Sequence, residues 1–353
     1  MSPKLKNKKI NNIILNKNNS IFDAVRKLNK SDFQVCLVLD EKLKLLGTIT
    51  DGDIRRAIIK KIDFKNSVSK IMNKKPITVQ ENFDTNSAKD VMKKKSVLQL
   101  PVINKKKQVV NLIIWRDDKN FITNKVIIMA GGLGKRMRPI TSKLPKPMIK
   151  IKNKPILEHI ITKLQTQGFR DIIISVRYLG YKIKNYFKNG KNFGVKLVYL
   201  NEKKALGTAG SLSLIKPSSI QDETIILNAD TIFNLNLNDV INFHRKKKSL
   251  MTMAIRQEFL KSSHGIIKSK GFMFDRIEEK PIITTYVNAG IYVIDKKIFK
   301  YIKKNTYLDM PDLFNKLKKK YNKKIFLFPI YEEYKEIGTL RDLKEFKWKK
   351  QKF

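Results

Sequence analysis

The segment from Met129 to Met148 reads Met-Ala-Gly-Gly-Leu-Gly-Lys-Arg-Met-Arg-Pro-Ile-Thr-Ser-Lys-Leu-Pro-Lys-Pro-Met, and it restricts the possible folds of this 353-residue chain more than any other stretch. The apolar run Lys-Val-Ile-Ile-Met at 125–129 precedes it and predicts a buried strand. Residues 155–164 follow with apolar side chains at helical spacing and Pro155 suited to a first turn. A glycine-rich loop from a strand towards a helix lets backbone amides close on phosphate oxygens. Arg136, Arg138, Lys143 and Lys146 add cations beside that loop, and Pro139, Pro145 and Pro147 stiffen the lysine-bearing path. The pattern is neither a Walker A loop, which ends in Gly-Lys-Ser/Thr, nor the dinucleotide fingerprint with its later acidic residue. It predicts a site for a polyphosphate.

From about residue 125 onward, apolar strands alternate with amphipathic helices, the texture of a mostly parallel sheet in which ligands gather beyond the carboxyl ends of the strands. Strands are expected at 171–176 and 195–199, with a helix at 181–187 between them. Leu-Gly-Thr-Ala-Gly-Ser at 206–211 then offers Gly207, Thr208 and Gly210 for close approach of a base and ribose. The strand at 223–229 ends in Asp230, a carboxylate placed to face phosphates and hold Mg²⁺, a hard cation that takes one or two carboxylates plus phosphate oxygens.

The joint pattern Gly-Gly-x-Gly-x-Arg-x-x-Pro-x-Thr-x-x-x-Pro-Lys-Pro-Met resembles the N-terminal motif of the sugar-1-phosphate nucleotidyltransferases. The resemblance implies an α/β fold of Rossmann-like (GT-A-like) type with a mostly parallel sheet. It implies nucleotide binding by Ala130, Gly131, Gly132, Gly134, Lys135, Gly207 and Thr208. Arg136, Lys146 and Asp230 become the catalytic candidates, with Asp230 and Glu336 the Mg²⁺ ligands. Gly265, Glu279, Lys280 and Asn288 fall on the family's sugar-phosphate segments, and 309–314 on a helix given a structural role. At 334–339, Tyr-Lys-Glu-Ile-Gly-Thr stands where the family has Trp-x-Asp-x-Gly-Thr, so Glu336 sets its carboxylate further out by about 1.5 Å, one bond length. The Leu-Gly-Thr-Ala-Gly loop has the form seen most in guanylyl-transferring members, which favours GTP and leaves UTP open.

Residues 10–120 read as two copies of one β-α-β-β-α unit, each expected to bury its sheet against the other. Gly-Thr-Ile-Thr-Asp-Gly-Asp-Ile at 47–54 resembles the end of a CBS domain, and the pair resembles a tandem CBS module. Thr50 and Asp53 are then the candidates for an adenine nucleotide, although Asp51 and Asp53 also suit a helix cap. The second copy has Ile114 in place of the threonine and keeps an acid at Asp117. The expected division is 1–120 for this regulatory part and 124–353 for the transferase. A CBS pair ahead of a transferase resembles the guanylyltransferases of the legionaminic-type nonulosonic acid pathway. Those imply glucosamine 1-phosphate as the second substrate and a homo-oligomer, with mannose or heptose 1-phosphate as alternatives. A non-catalytic nucleotide sensor is the competing class.

The formal charge of +44 raises a nucleic-acid reading. The lysines, however, run along the whole chain without a basic block interleaved with aromatics, so no nucleic-acid partner is expected. No apolar segment is long enough to span a bilayer, and the first residues carry charge without the apolar stretch of a signal peptide. With Cys36 the single cysteine, a cytoplasmic protein without a membrane partner is the expectation.

Overall fold

The structure, a computed structural model, describes residues 8–31, 33–95, 97–114, 123–220 and 222–346. Internal contacts divide the chain into two units, Met1–Asn120 and Phe121–Phe353.

The first unit repeats itself down to single hydrogen bonds. Strands Ile14–Asn16, Val35–Leu39 and Leu45–Thr50 form one three-stranded sheet, and Val79–Gln80, Gln99–Ile103 and Val109–Ile114 form the other. Both sheets join a parallel pair to an antiparallel hairpin, with the bulge at the same place, Val38/Leu39 and Val102/Ile103. The two turns are closed alike: Asp40 Oδ1 accepts from the amides of Lys42 and Lys44, and Asn104 Oδ1 from those of Lys106 and Gln108. The hairpins meet through Leu45 N to Lys107 O (3.1 Å) and Val109 N to Leu43 O (3.0 Å). Ile10, Ile13, Val35, Leu37 and Leu39 then share one core with Ile103, Val109 and Leu112. Pro-Ile-Thr-Val at 76–79 predicts the first strand of the second copy, but the strand is confined to Val79–Gln80, because Pro76 has no amide to give a ladder. Cys36 is fully buried, and burial pushes its thiol up to about 12, which makes it a packing residue.

The run Ser-Ile-Phe-Asp at 20–23 predicts a capping box in an acidic variant, and helix Ile21–Lys30 opens on it, Ser20 N donating to Asp23 Oδ2 at 3.0 Å and Asp23 N to Ser20 Oγ at 3.2 Å. Thr50 and Asp53 form the same device ahead of helix Asp51–Ile59, with Thr50 N and Oγ1 each 2.8 Å from Asp53 Oδ2. Arg56 Nη2 takes the other Asp53 oxygen at 2.5 Å. The capping role of Asp53 is thus realised. Asp117 lies outside the described residues.

In the second unit, seven strands form the main sheet: β1 Val126–Ala130, β2 Asp171–Val176, β3 Lys196–Asn201, β4 Thr224–Asn228, β5 Met251–Lys261, β6 Ile282–Ile294 and β7 Ile325–Ile330. Their order is β3-β2-β1-β4-β6-β5-β7, with β6 antiparallel to both neighbours and every other pair parallel. The central β1 and β4 are apolar on both faces because helices cover both, as parallel strands require. Helices α1 Ile156–Thr166, α2 Gly180–Phe187 and α3 Leu237–Lys246 bury Ile156, Ile160, Ile161, Ile183, Val240 and Ile241 in one core. Helix α4 Met310–Tyr321 packs Met310, Leu313, Phe314 and Leu317 into the other. Pro155 sits one position earlier than expected, at the cap of α1. Two features could not be read from periodicity. Strand β6 runs 13 residues, well past the core, and a second hairpin, Ile266–Lys270 with Met273–Glu278, inserts between β5 and β6.

Candidate active site

A cleft of about 460 Å³ opens beyond the carboxyl ends of β1 and β4, where an open α/β sheet places its ligands. Its lining gathers Ala130, Gly131, Gly132, Gly134, Lys135, Lys146, Gly207, Thr208 and Asp230 from four separate parts of the sequence. The register explains the convergence. Val126–Met129 of β1 pair with Ile225–Asn228 of β4, so the glycine loop and Asp230 leave adjacent strands at the same edge.

At the floor, Lys146 Nζ lies 2.5 Å from Asp230 Oδ2, both side chains mostly shielded from solvent. The second oxygen, Asp230 Oδ1, is buried and has no hydrogen-bond partner, and neither has the neighbouring Asn228 Oδ1. A buried carboxylate oxygen left open in this way is unfavourable unless a ligand completes it. Glu336 reaches the same edge by another route. Strand Tyr334–Glu336 pairs antiparallel with Thr231–Phe233, Glu336 opposite Thr231, and Ile337 N donates to Asp230 O at 2.9 Å. Among the described residues no cluster of three His, Cys, Asp or Glu side chains forms a closed metal cage. An open carboxylate oxygen suits Mg²⁺, which keeps waters and phosphate oxygens in its shell; the Glu336 carboxylate, expected as the second ligand, lines an adjoining cavity and not the cleft.

Arg136 does not line this cleft. It stands in an adjoining cavity of about 250 Å³ with Glu336, Arg256, Lys335 and Tyr334, its Nη2 3.6 Å from Glu336 Oε1. Arg256 lies over the Tyr334 ring at 5.4 Å, and Tyr334 Oη donates to Ala289 O at 2.7 Å. Burial, with Glu336 and Asp230 nearby, raises the Tyr334 phenol far above its ordinary range, so it acts as a fixed donor.

The candidates for the sugar phosphate are distributed differently. Gly265 and Glu279 are brought together, since a methyl at Gly265 would come within 2.8 Å of Glu279 Oε2. They flank the inserted hairpin with Lys280, and none of the three lines the cleft. Asn288 is engaged at both ends, its Nδ2 donating to Tyr292 Oη (2.6 Å) and its Oδ1 accepting from Gly290 N (2.9 Å). One amide hydrogen and one lone pair remain for a ligand.

Arg177, Glu202 and Tyr307 line the cleft and were not among the expected site residues, and Asp309, which also lines it, was expected only in a structural role. Glu202 follows β3 directly, accepts from Ser175 Oγ at 2.7 Å, and lies where a Cβ on Gly131 would come within 2.5 Å of Oε1. That contact is a local reason for glycine at 131. An acid at a strand end four residues before Leu-Gly-Thr was the available signal. Asp309, expected to be structural, stands at the N-cap position of α4 without a side-chain capping bond and instead holds the Gly207–Gly210 turn, accepting from Thr208 N (2.9 Å) and Thr208 Oγ1 (3.2 Å). Burial alone would raise its carboxyl, but the bonds from Tyr307 and Thr208 outweigh burial and hold it below the ordinary value.

Gly207 makes that latch possible. Its φ is +75°, and a Cβ would meet Leu308 O at 2.5 Å and Asp309 Oδ1 at 2.8 Å. Gly207→Ala is therefore expected to lower stability by about 1–3 kcal/mol through backbone strain. It should also weaken nucleoside triphosphate binding at least tenfold, read by thermal unfolding and by calorimetric titration. Unchanged nucleotide affinity would remove the loop from the binding site.

Residues 125–352 match the family model described as nucleotidyl transferase, and 7–60 and 68–117 match the CBS domain. A UTP–glucose-1-phosphate uridylyltransferase of Synechocystis sp. is 33% identical over 212 residues, 55% of this chain and 55% of the relative. A D-glycero-α-D-manno-heptose 1-phosphate guanylyltransferase of Aneurinibacillus thermoaerophilus is 32% identical over 176 residues, 50% of this chain and 76% of the relative. Against the first of these, the chain spans about half the length of the relative it matches. A crystal structure of a putative glucose-1-phosphate thymidylyltransferase from Bacillus anthracis superposes with a TM-score of 0.51 at 25% identity, covering 64% of this chain and 97% of that one. The model match spans the sheet, the glycine loop and the Asp230 edge together, and on that ground the chain belongs to the nucleotidyl transferase family, with two CBS domains ahead of the transferase.

Proposed function

We propose that this protein transfers a nucleotidyl group from a nucleoside triphosphate to a sugar 1-phosphate and releases pyrophosphate. The observation that carries the reading is the cleft floor, where Lys146 Nζ sits against one Asp230 oxygen and the other is left open beside a glycine loop. In this reaction an oxygen of the sugar phosphate attacks the α-phosphorus, and the bond to the bridging oxygen of pyrophosphate breaks. The nucleophile is already an anion, so no general base is needed, and positioning with charge neutralisation supplies the rate. Lys146 orients the phosphates, and Arg136, from its adjoining cavity, neutralises the departing pyrophosphate. Mg²⁺, which Asp230 with Glu336 would hold, neutralises charge on the phosphate oxygens when bound.

The preferred substrates are GTP and glucosamine 1-phosphate. Glu202 supports guanine: a carboxylate accepts from both the ring N–H and the exocyclic amine of that base, whereas uracil offers it one N–H flanked by two carbonyls. The names of the relatives span uridylyl and guanylyl transfer, so the nucleotide is the finer part of the proposal. For the CBS pair, the family resemblance supports an adenine nucleotide and a homo-oligomer, while the engagement of Thr50 and Asp53 in a helix cap favours the structural role. No helix among the described residues is long and apolar enough to cross a membrane.

Pyrophosphate release should be measured for the four nucleoside triphosphates against a panel of sugar 1-phosphates with Mg²⁺. Release confined to GTP with glucosamine 1-phosphate is the expected result. Release with another pair retains the reaction and replaces the substrates, and no release from folded protein with any pair would overturn the enzymatic reading.

A further inference from the structure

The end of the sheet opposite the catalytic cleft holds a second cavity of about 490 Å³, as large as the cleft itself. Residue Glu223, just before β4, lines it, while Asn228 at the other end of β4 lines the cleft. Along an extended strand those positions lie roughly 16 Å apart, so the two cavities are separate. Five basic side chains, Arg245, Lys248, Lys297, Lys300 and Lys324, converge here from α3, the α3–β5 turn, the helical turn after β6 and the turn just before β7.

Two carboxylates oppose them, and both are occupied. Glu223 pairs with Arg245, and Asp295 Oδ1 accepts from Lys297 N at 2.8 Å. Among the described residues, no carboxylate lies within ion-pairing distance of Lys248, Lys297, Lys300 or Lys324. These side chains line one concavity, where their mutual repulsion is relieved by a bound anion. The wall is also built for a polar ligand. Tyr301 and Tyr321 meet edge to face at 5.9 Å with their hydroxyls hydrogen-bonded to one another. His244, 3% exposed, lines the base with Nδ1 fixed 2.9 Å from Thr252 Oγ1.

We propose that this cavity is a second anion site for a small phosphate-bearing metabolite, separate from the catalytic cleft. The excess of three positive charges over the lining carboxylates matches a phosphomonoester dianion or a diphosphate. Lysines suit such a ligand as point charges that accept several phosphate orientations. Of the two tyrosine hydroxyls, the one that accepts in their mutual bond keeps its O–H as a neutral donor. The concave shape and this volume fit one small molecule and exclude a duplex or a membrane surface.

The test uses labelled inorganic pyrophosphate as probe and equilibrium dialysis of the full chain at 0.15 M salt. Two saturable classes are expected for the wild-type protein. In a Lys146→Ala background, which empties the catalytic class, one class should remain. Adding Lys248→Glu with Lys324→Glu should weaken that class at least tenfold, and Lys297→Gln should weaken it more mildly. All three lysines are exposed, so these changes leave the core intact. Lys188→Glu with Lys191→Glu, exposed lysines of the α2–β3 connection, is the charge-matched control and should leave uptake unchanged. An equal loss in that control means diffuse charge alone and overturns the proposal. So does a single class abolished by Lys146→Ala, or a second class that survives the Lys248/Lys324 pair. Competition in the Lys146→Ala background by inorganic phosphate, GDP and AMP then tells a free phosphate source from a nucleotide.

Discussion

Asp230→Asn is expected to cut turnover by about 10²–10³-fold or more, the scale on which removal of a preorganised electrostatic contact acts. The substitution keeps the shape of the side chain and takes away the charge that faces both Lys146 and the open coordination position at Oδ1. The main-chain bond from Ile337 N to Asp230 O is untouched, so the Glu336 strand stays in register. Stability should fall by only about 1.5–3 kcal/mol, the range for a lost hydrogen bond to a charged group. Pyrophosphate release at saturating Mg²⁺ measures the first effect and thermal unfolding the second. A variant that turns over at the wild-type rate would remove Asp230 from metal binding and from the reaction.

Lys146→Ala should lower kcat/KM by at least about 10²-fold, since Lys146, one of the cations lining the cleft, meets Asp230 at its floor. Lys146→Arg keeps the charge but changes a compact ammonium for a planar fork, so partial recovery is expected. The stronger test combines Lys146→Ala with Asp230→Asn. Because the two side chains touch, their losses should be less than additive, with a coupling of about 0.5–3 kcal/mol. Purely additive losses would mean that the two act at separate steps.

Much of this site was legible before any coordinates. The glycines at 131, 132 and 134, Lys146 and Asp230 each sit at a strand end or in a loop whose local sequence declares it, and the sheet register brings them to one edge. The repeat in the N-terminal unit was legible for the same reason, since period-two apolar runs and turn residues recur at matched spacing. Arg136 shows the limit of that reading. Two residues beyond Gly134, it turns away from the cleft into the cavity of Glu336, because the backbone passes into a short helical turn at Lys135–Met137. Asp309 shows it again, a residue at a helix N-cap position whose carboxylate fastens a loop 101 residues earlier in the chain.

Alternation, glycine placement and strand-end acids are local properties, and they were enough for the α/β class, the internal repeat of the first unit, the candidate phosphate loop and the candidate metal carboxylate, while the CBS assignment came from the resemblance of 47–54 to that domain. What depends on residues far apart in the chain had to come from packing. The Asp309–Thr208 latch, the approach of Glu202 to Gly131, and the lysine-lined cavity at the far end of β4 each join segments whose own sequences carry no mark of the partner. Side-chain chemistry announces what a residue can do, but long-range strand register and helix packing set which other residue it meets.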